Sequence, residues 1–306
     1  MAGGPYRRVN MHNQQAIGID LGGTRVKGVV VDAAGKILHQ QYTNIEDNNW
    51  KQAIETTVGV LRLSVTGSPL IGISAPGIPS AQNNCIQFMP GRLQGLEGMI
   101  WSDVFGTPTW VANDAIAAMA AEARFGTAKG IQHAIMLTLG TGVGGAILID
   151  GKIYTGAFQK GGHLGHITLD HTGEQDITGI PGSLEDAIGN CTIAKRSEGR
   201  YQYTHELLED VRNGDAAATA IWDLSIKKLA IGIASLTNVL SPELVILGGG
   251  ITEAGQLLFD PLEQYMGQYE WRAGGHKTTI VKAIYGDMAG AIGAAGFAMM
   301  KQDISN

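Results

Sequence analysis

The sequence predicts a two-lobed α/β protein built from one duplicated unit. Three observations point there: the length, the glycine pattern and an internal repeat. At 306 residues and 32.3 kDa the chain is about twice an ordinary domain, so two lobes fit it better than one. Its 44 glycines are roughly twice the usual ~7% share. They cluster at the ends of apolar runs rather than spreading as in a linker. Glycine in such places admits positive φ and lets a main chain approach a ligand closely.

The repeat fixes the order of elements. Ala16 to Asp20 (AIGID) reads as a strand, LGGT as a turn and VKGVVVD as a second strand. DAAGK is a hairpin turn into the strand ILHQQYT. Trp50, Ala53, Ile54, Val58 and Leu61 then share one helical face, and PLIGIS returns as a buried strand ending at Ser74. About 120 residues later the grammar recurs. Ala134 to Leu139 (AIMLTL) is a strand, GTGVGG a glycine turn, AILID a strand, and DGK a turn into IYTG. A helix from Ala216 to Leu240 is expected to carry Ile221, Leu224, Leu229, Ile233 and Leu236 on its buried stripe. It stops at Ser241-Pro242, and Leu244 to Gly250 (LVILGGG) closes the copy.

Composition excludes several classes. Charged residues are 16% and apolar residues 44%, too few charges and too many apolar groups for disorder. The net charge of −6 comes with no basic face, so no nucleic-acid partner is expected. No apolar run reaches the ~18 residues of a membrane span. The N-terminal MAGGPYRRVNMHNQQ lacks the apolar stretch of a secretory leader. Cys85 and Cys191 are too few for a disulfide scaffold. A cytoplasmic protein is the expectation.

Gly140, Gly142 and Gly145 satisfy G-x-G-x-x-G, but a dinucleotide fingerprint must open a helix, and here a strand follows. No P-loop pattern exists in the chain. What remains is a strand hairpin whose glycine tip offers backbone N–H groups to an anion. Two such turns, each with a threonine (Thr24 and Thr141), favour phosphate binding over plain tight turns. The turns are expected to face one another across an interlobe cleft. Asn113-Asp114 precedes a strong helix former, AIAAMAAEARFG. One of the pair can be the N-cap; Asp114 can also be a base that takes a proton from an attacking hydroxyl. The two roles are compatible, since a helix N-terminus favours a carboxylate.

DLGGTRVKG at Asp20 to Gly28, Asn113-Asp114, LGTGVGGA at Leu139 to Ala146, GHLGH at Gly162 to His166 and LGGG at Leu247 to Gly250 together resemble the ROK family. That family holds sugar kinases and sugar-responsive repressors. The resemblance spans roughly residues 16 to 300. It implies duplicated actin-like, hexokinase-like (ribonuclease H-like) lobes, lobe closure on substrate binding and a homodimer. The lobes are expected at 1–112 plus 288–306 and at 113–287, with the small-residue helix AGAIGAAGFAMM returning to the first. The implied activity is ATP- and Mg²⁺-dependent phosphorylation of a hexose, with glucose at its 6-hydroxyl leading. N-acetylmannosamine, N-acetylglucosamine, mannose, fructose and allose stay open.

The resemblance also implies residue roles. Asp20 would hold Mg²⁺ through water, and Gly22, Gly23, Thr24 and Arg25 would cradle the terminal phosphates. Gly140, Thr141, Gly142 and Gly144 would form the second phosphate turn, with Gly248, Gly249 and Gly250 bordering adenosine. Asp114 would be the catalytic base. Asn113, His163, His166 and Glu185 would bind sugar, with Ser74 and Gly77 in a rigid loop beside them. The chain departs from the family twice. His163 stands where a sugar-binding glutamate is expected. Asp176, Thr178 and Ser183 replace three zinc-binding cysteines, so no zinc site is expected. A site from His163, His166, His171 and Asp176 is the alternative. With intact phosphate turns and only 19 residues before Asp20, a kinase is favoured over a DNA-binding repressor or a non-catalytic binding module.

Overall fold

The computed structural model describes residues 14–305 apart from 90 and 92. The absence of a leader was read largely from residues 1–13, which lie outside the described residues. Two compact units divide the chain, Met1–Phe125 with Met288–Asn306, and Gly126–Asp287. The first begins with strands β1 (Ala16–Leu21), β2 (Arg25–Val31) and β3 (Ile37–Asn44), helix α1 (Trp50–Arg62) and strand β4 (Leu70–Ser74). A short hairpin, β5 (Ile78–Pro79) and β6 (Ile86–Phe88), helix α2 (Trp101–Phe105), strand β7 (Thr109–Ala112) and helix α3 (Asp114–Phe125) follow. The sheet order is β3-β2-β1-β4-β7. Strand β1 is antiparallel to β2 and parallel to β4. Being central, β1 is buried on both faces: Ile17 and Ile19 are fully enclosed on one, and Ala16 and Gly18 are buried on the other. Helix α1 is capped by Asn49, whose side chain accepts from the Gln52 amide, and it buries the face the spacing predicts. Each fully buried Ile or Leu there contributes about 1.5–3 kcal/mol.

The second unit repeats this plan. Strands β8 (Ala134–Leu139), β9 (Val143–Ile149) and β10 (Lys152–Tyr154) come first, then helices α4 (Leu184–Ile188), α5 (Ile193–Arg196), α6 (Thr204–Arg212) and α7 (Ala216–Leu240). Strand β11 (Leu244–Gly248), helix α8 (Gln256–Tyr269) and strand β12 (Thr279–Lys282) complete it. The order β10-β9-β8-β11-β12 matches the first sheet strand for strand. The β9–β10 turn is the expected Asp-Gly pair: Asp150 and Gly151 both have positive φ, as a type I′ turn requires. Helix α7 ends on Ser241 in the left-handed conformation, just before Pro242. Its buried face is Ala218, Trp222, Ile226, Leu229, Ile233 and Leu236. Leu224, expected on that stripe, is half exposed, and Ile221 only flanks the core.

Helix α9 (Ala289–Ser305) belongs to the first unit, as its small residues suggest. A Cβ on Gly18 of β1 or Gly72 of β4 would meet the carbonyl oxygens of Ala291 and Ala294 at under 2 Å, and one on Gly293 would meet that of Ala117. Gly18 and Gly72 let helix backbone rest directly on strand backbone, and Gly293 lets α9 do the same against α3. Because α3 also packs on α9, the boundary falls after Phe125 and not at 112/113. Asn113 and Asp114 therefore lie in the first unit, a correction to the expected lobe assignment. No described helix is long and apolar enough to cross a membrane.

Candidate active site

In the first unit the ends of three strands gather the expected residues. Asp20, next to the last residue of β1, accepts a hydrogen bond at 2.9 Å from Ser74 Oγ at the end of β4. Its other oxygen lies 3.8 Å from Lys27 Nζ. Gly290, in the first turn of α9, comes so close that a Cβ there would sit 2.6 Å from the Asp20 carboxyl carbon. The positive end of a 17-residue helix thus faces this carboxylate. The hairpin tip Gly22 to Thr24 is closed by Gly22 N donating to Arg25 O, with Gly23 and Thr24 exposed. Arg25 already belongs to β2, and its guanidinium lies 5.5 Å from the centre of the Tyr42 ring.

Asn113 is the N-cap of α3. Its Oδ1 accepts from Ala115 N at 2.9 Å and Ile116 N at 3.5 Å, while Nδ2 donates to Gly77 O at 3.3 Å. The cap thereby ties the helix start to the loop containing Gly77, whose φ of 103° suits only glycine. Asp114 is exposed at the same helix start and accepts from Ala115 N through Oδ1 at 2.8 Å. Capping and an accessible carboxylate coexist here.

In the second unit the glycine turn is shorter than expected. Strand pairing runs from Leu139↔Val143 through Thr138↔Gly144, so Gly140, Thr141 and Gly142 form the tip. Gly144, expected in the turn, is a ladder residue. Two segments brace the tip. Glu185, early in α4, accepts from Val143 N at 2.9 Å, and a Cβ on Gly142 would collide with its carboxylate. Asn190 N and Cys191 N donate to the carbonyls of Gly140 and Thr141. Arg196 secures that second segment from below, donating to Gly189 O at 2.9 Å and to Ser225 Oγ. Burial pulls its guanidinium down to about 10.

A cavity of about 480 Å³ opens beside the tip. Gly140, Thr141 and Asn190 form one wall, and Gly250, Ile251 and Ala254, which follow β11, another. Thr204, Leu208 and Arg212 of α6 supply a third. His205 and Glu253 line it as well; a slot of mixed apolar and polar walls with a guanidinium and a glycine tip can hold a nucleoside phosphate. Of the expected adenosine residues, Gly250 lines it; Gly248 ends β11, and Gly249 connects the two. Asn190, Leu208 and Arg212 escaped sequence reading because they lie 50 to 70 residues beyond the glycine motif, in segments with no motif of their own. For Mg²⁺, one carboxylate at the edge of a glycine turn suits the ion's habit of keeping most of its waters and borrowing phosphate oxygens. Asp20 fits that role.

His166, Asp176 and Glu185 come together, with ligand-type atoms within 4.8 Å of one another. His163 stands apart, its Nδ1 3.2 Å from Lys160 O, and neither it nor His171 joins the group. The four positions at which the family resemblance implies zinc ligands are otherwise engaged. His166 Nδ1 meets Asp176 Oδ2 at 2.9 Å. Thr178 Oγ1 donates to Asp176 Oδ1 at 2.7 Å. Ser183 Oγ accepts from Asp186 N as the cap of α4. With no thiolate in the set, these residues do not fit a structural zinc site.

Comparison with known proteins places the fold. The ROK family model matches residues 16–302. The chain belongs to the ROK family. A glucokinase of Thermotoga maritima is 30% identical over 309 residues, covering 93% of this chain and 97% of that one. The ROK hexokinase from Thermus thermophilus superposes with a TM-score of 0.82 at 26% identity, over 95% of this chain and all of that one. The ROK glucokinase from Streptomyces griseus, solved with glucose and AMPPNP, gives 0.78 at 26% identity over 94% and 99%. The paired five-stranded sheets are thus the duplicated actin-like fold of the ROK kinases.

Proposed function

We propose that the protein is an ATP-dependent hexose kinase, with glucose phosphorylated at its 6-hydroxyl as the leading reaction. The observation that carries the reading is the second unit's cavity, where a braced glycine tip and Arg212 border a slot whose walls include Ile251, Ala254 and Leu208. That combination can hold a nucleoside and its phosphates. The likeness to glucokinases over nearly the whole chain supports it.

Phosphoryl transfer asks chiefly for positioning and charge neutralisation. In the first unit Asp114 would accept the proton of the attacking hydroxyl and Asn113, with its remaining amide proton, would hold a neighbouring one. Gly22, Gly23 and Thr24 would present amides to the terminal phosphates. Mg²⁺, when bound, neutralises phosphate charge; Asp20 would hold its water shell. In the second unit Gly140 to Gly142 would cradle phosphates, and Asn190, Leu208, Arg212 and Gly250 would hold the nucleoside. His166 and Glu185 would hold sugar hydroxyls.

His163 in place of a carboxylate bears on the choice of sugar. A carboxylate accepts from two hydroxyls, whereas neutral imidazole offers one donor and one acceptor. The test is ADP release with Mg-ATP against glucose, mannose, fructose, allose and the N-acetylhexosamines. Turnover highest on glucose is expected. Turnover on an N-acetylhexosamine alone would move the assignment to a hexosamine kinase, and none on any sugar would contradict the kinase reading.

A further inference from the structure

The cluster of His166, Asp176 and Glu185 has the outline of a metal site, but its hydrogen bonding describes a different device. Asp176 occupies a tight loop in which its own backbone closes on Ile180 O and Gly179 N. Its Oδ1 accepts three hydrogen bonds: from Thr178 N at 2.8 Å, Thr178 Oγ1 at 2.7 Å and Ile180 N at 3.1 Å. Only Oδ2 remains to face out of the loop, and it meets His166 Nδ1 at 2.9 Å. The Asp176 side chain is 1% exposed. Burial alone would raise its carboxyl, but the hydrogen bonds from Thr178, His166 and Ile180 outweigh that and hold it well below the usual range. The group is therefore a carboxylate, which can only accept.

An acceptor at 2.9 Å requires the proton of the neutral imidazole to be on Nδ1. That leaves Nε2 without hydrogen, as an acceptor. The loop is itself pinned: Leu169 N and Asp170 N donate to Gly182 O, and Leu184 N to Ile167 O. His166 thus cannot turn without breaking a bond to a side chain that is itself held three times.

We propose that Asp176 is the positioning residue for His166, fixing its ring and its Nδ1–H tautomer at the place where related chains are expected to use zinc. For sugar binding, which rests on the kinase reading, the consequence is that His166 Nε2 accepts from a hydroxyl of the sugar. The tautomer itself is independent of that reading.

The first test is long-range ¹H–¹⁵N correlation of the imidazole nitrogens in the purified protein, with His166→Gln assigning the signal. The expected spectrum shows His166 protonated at Nδ1 and bare at Nε2, unchanged by chelator or by added zinc chloride. Protonation at Nε2 with Nδ1 bare, or a shift of Nδ1 on chelation, would overturn the proposal. The second test is Asp176→Asn, which keeps an oxygen for the loop donors and turns an amide N–H₂ toward Nδ1. It should reverse the tautomer and raise KM for glucose roughly tenfold, the size of one hydrogen bond. KM for ATP should stay unchanged. Unaltered tautomer and KM in that variant would also overturn the proposal. If the wild type does not phosphorylate glucose, the kinase reading fails while the wild-type spectrum still decides the role of Asp176.

Discussion

At the scale of single residues, Asp20 and Gly290 make the sharpest statement about the site. Alanine at a helix start would ordinarily stabilise by up to about 1 kcal/mol over glycine. At Gly290 its Cβ would press on the Asp20 carboxyl at 2.6 Å. Gly290→Ala is therefore expected to lower turnover by about 10- to 100-fold, since displacements near 1 Å can cost that much, with no gain in melting temperature. A stabilised, fully active variant would contradict the account of Asp20. Asp176 gives a pH prediction. Its carboxyl is depressed in the folded protein, so the stability it adds is present above its ordinary 3.8 and is lost as pH falls below that. Melting temperature should accordingly drop more steeply below about pH 4 in the wild type than in Asp176→Asn; parallel curves would refute this. The placement of Asp20 at a strand end and of Asn113 and Asp114 at a helix start was legible in the sequence because each sits within a short motif. The bond between His166 and Asp176 was not. The residue types allowed a ligand role as readily, and only distance and proton bookkeeping separate the two.

At the scale of elements, the repeat was legible because both copies keep the same strand, turn and helix order. The structure returns it as two sheets of identical strand order. Two details were misread for physical reasons: part of the buried face of α7, whose ends fall where the sequence puts them, and the length of the second glycine turn. Helix α7 is apolar on most sides, so spacing alone cannot choose its buried face; Leu224 points out to solvent, and Ile221 reaches only the edge of the core. GTGVGG reads as turn by composition, yet strand pairing with Thr138 and Leu139 claims Val143 and Gly144. Tertiary pairing overrides a weak local preference there. The glycines under α9 carry an element-scale prediction. Gly72→Ala places a methyl 1.8 Å from Ala294 O, so the helix must lift from the sheet. A loss of about 1–3 kcal/mol, typical of overpacking, is expected as a lower urea midpoint. An unchanged midpoint would show that α9 does not rest on the strand backbone.

At the scale of the whole molecule, length and the internal repeat pointed to two units but could not fix the boundary between them. The expected break at 112/113 followed the end of β7. The contact of α3 with α9, some 175 residues apart in sequence, moves it past Phe125, and such long-range packing leaves no local mark. The homodimer implied by the family resemblance predicts a mass in solution of twice 32.3 kDa by light scattering; the monomer mass would count against it. The central claim is phosphoryl transfer to a hexose with Asp114 as base. Its most direct test is glucose-dependent ADP release from Mg-ATP by the wild type and by Asp114→Asn, side by side. The account predicts turnover in the wild type and a loss of roughly 10²- to 10⁴-fold in the variant, with its melting temperature retained. Equal rates in the two proteins would contradict it.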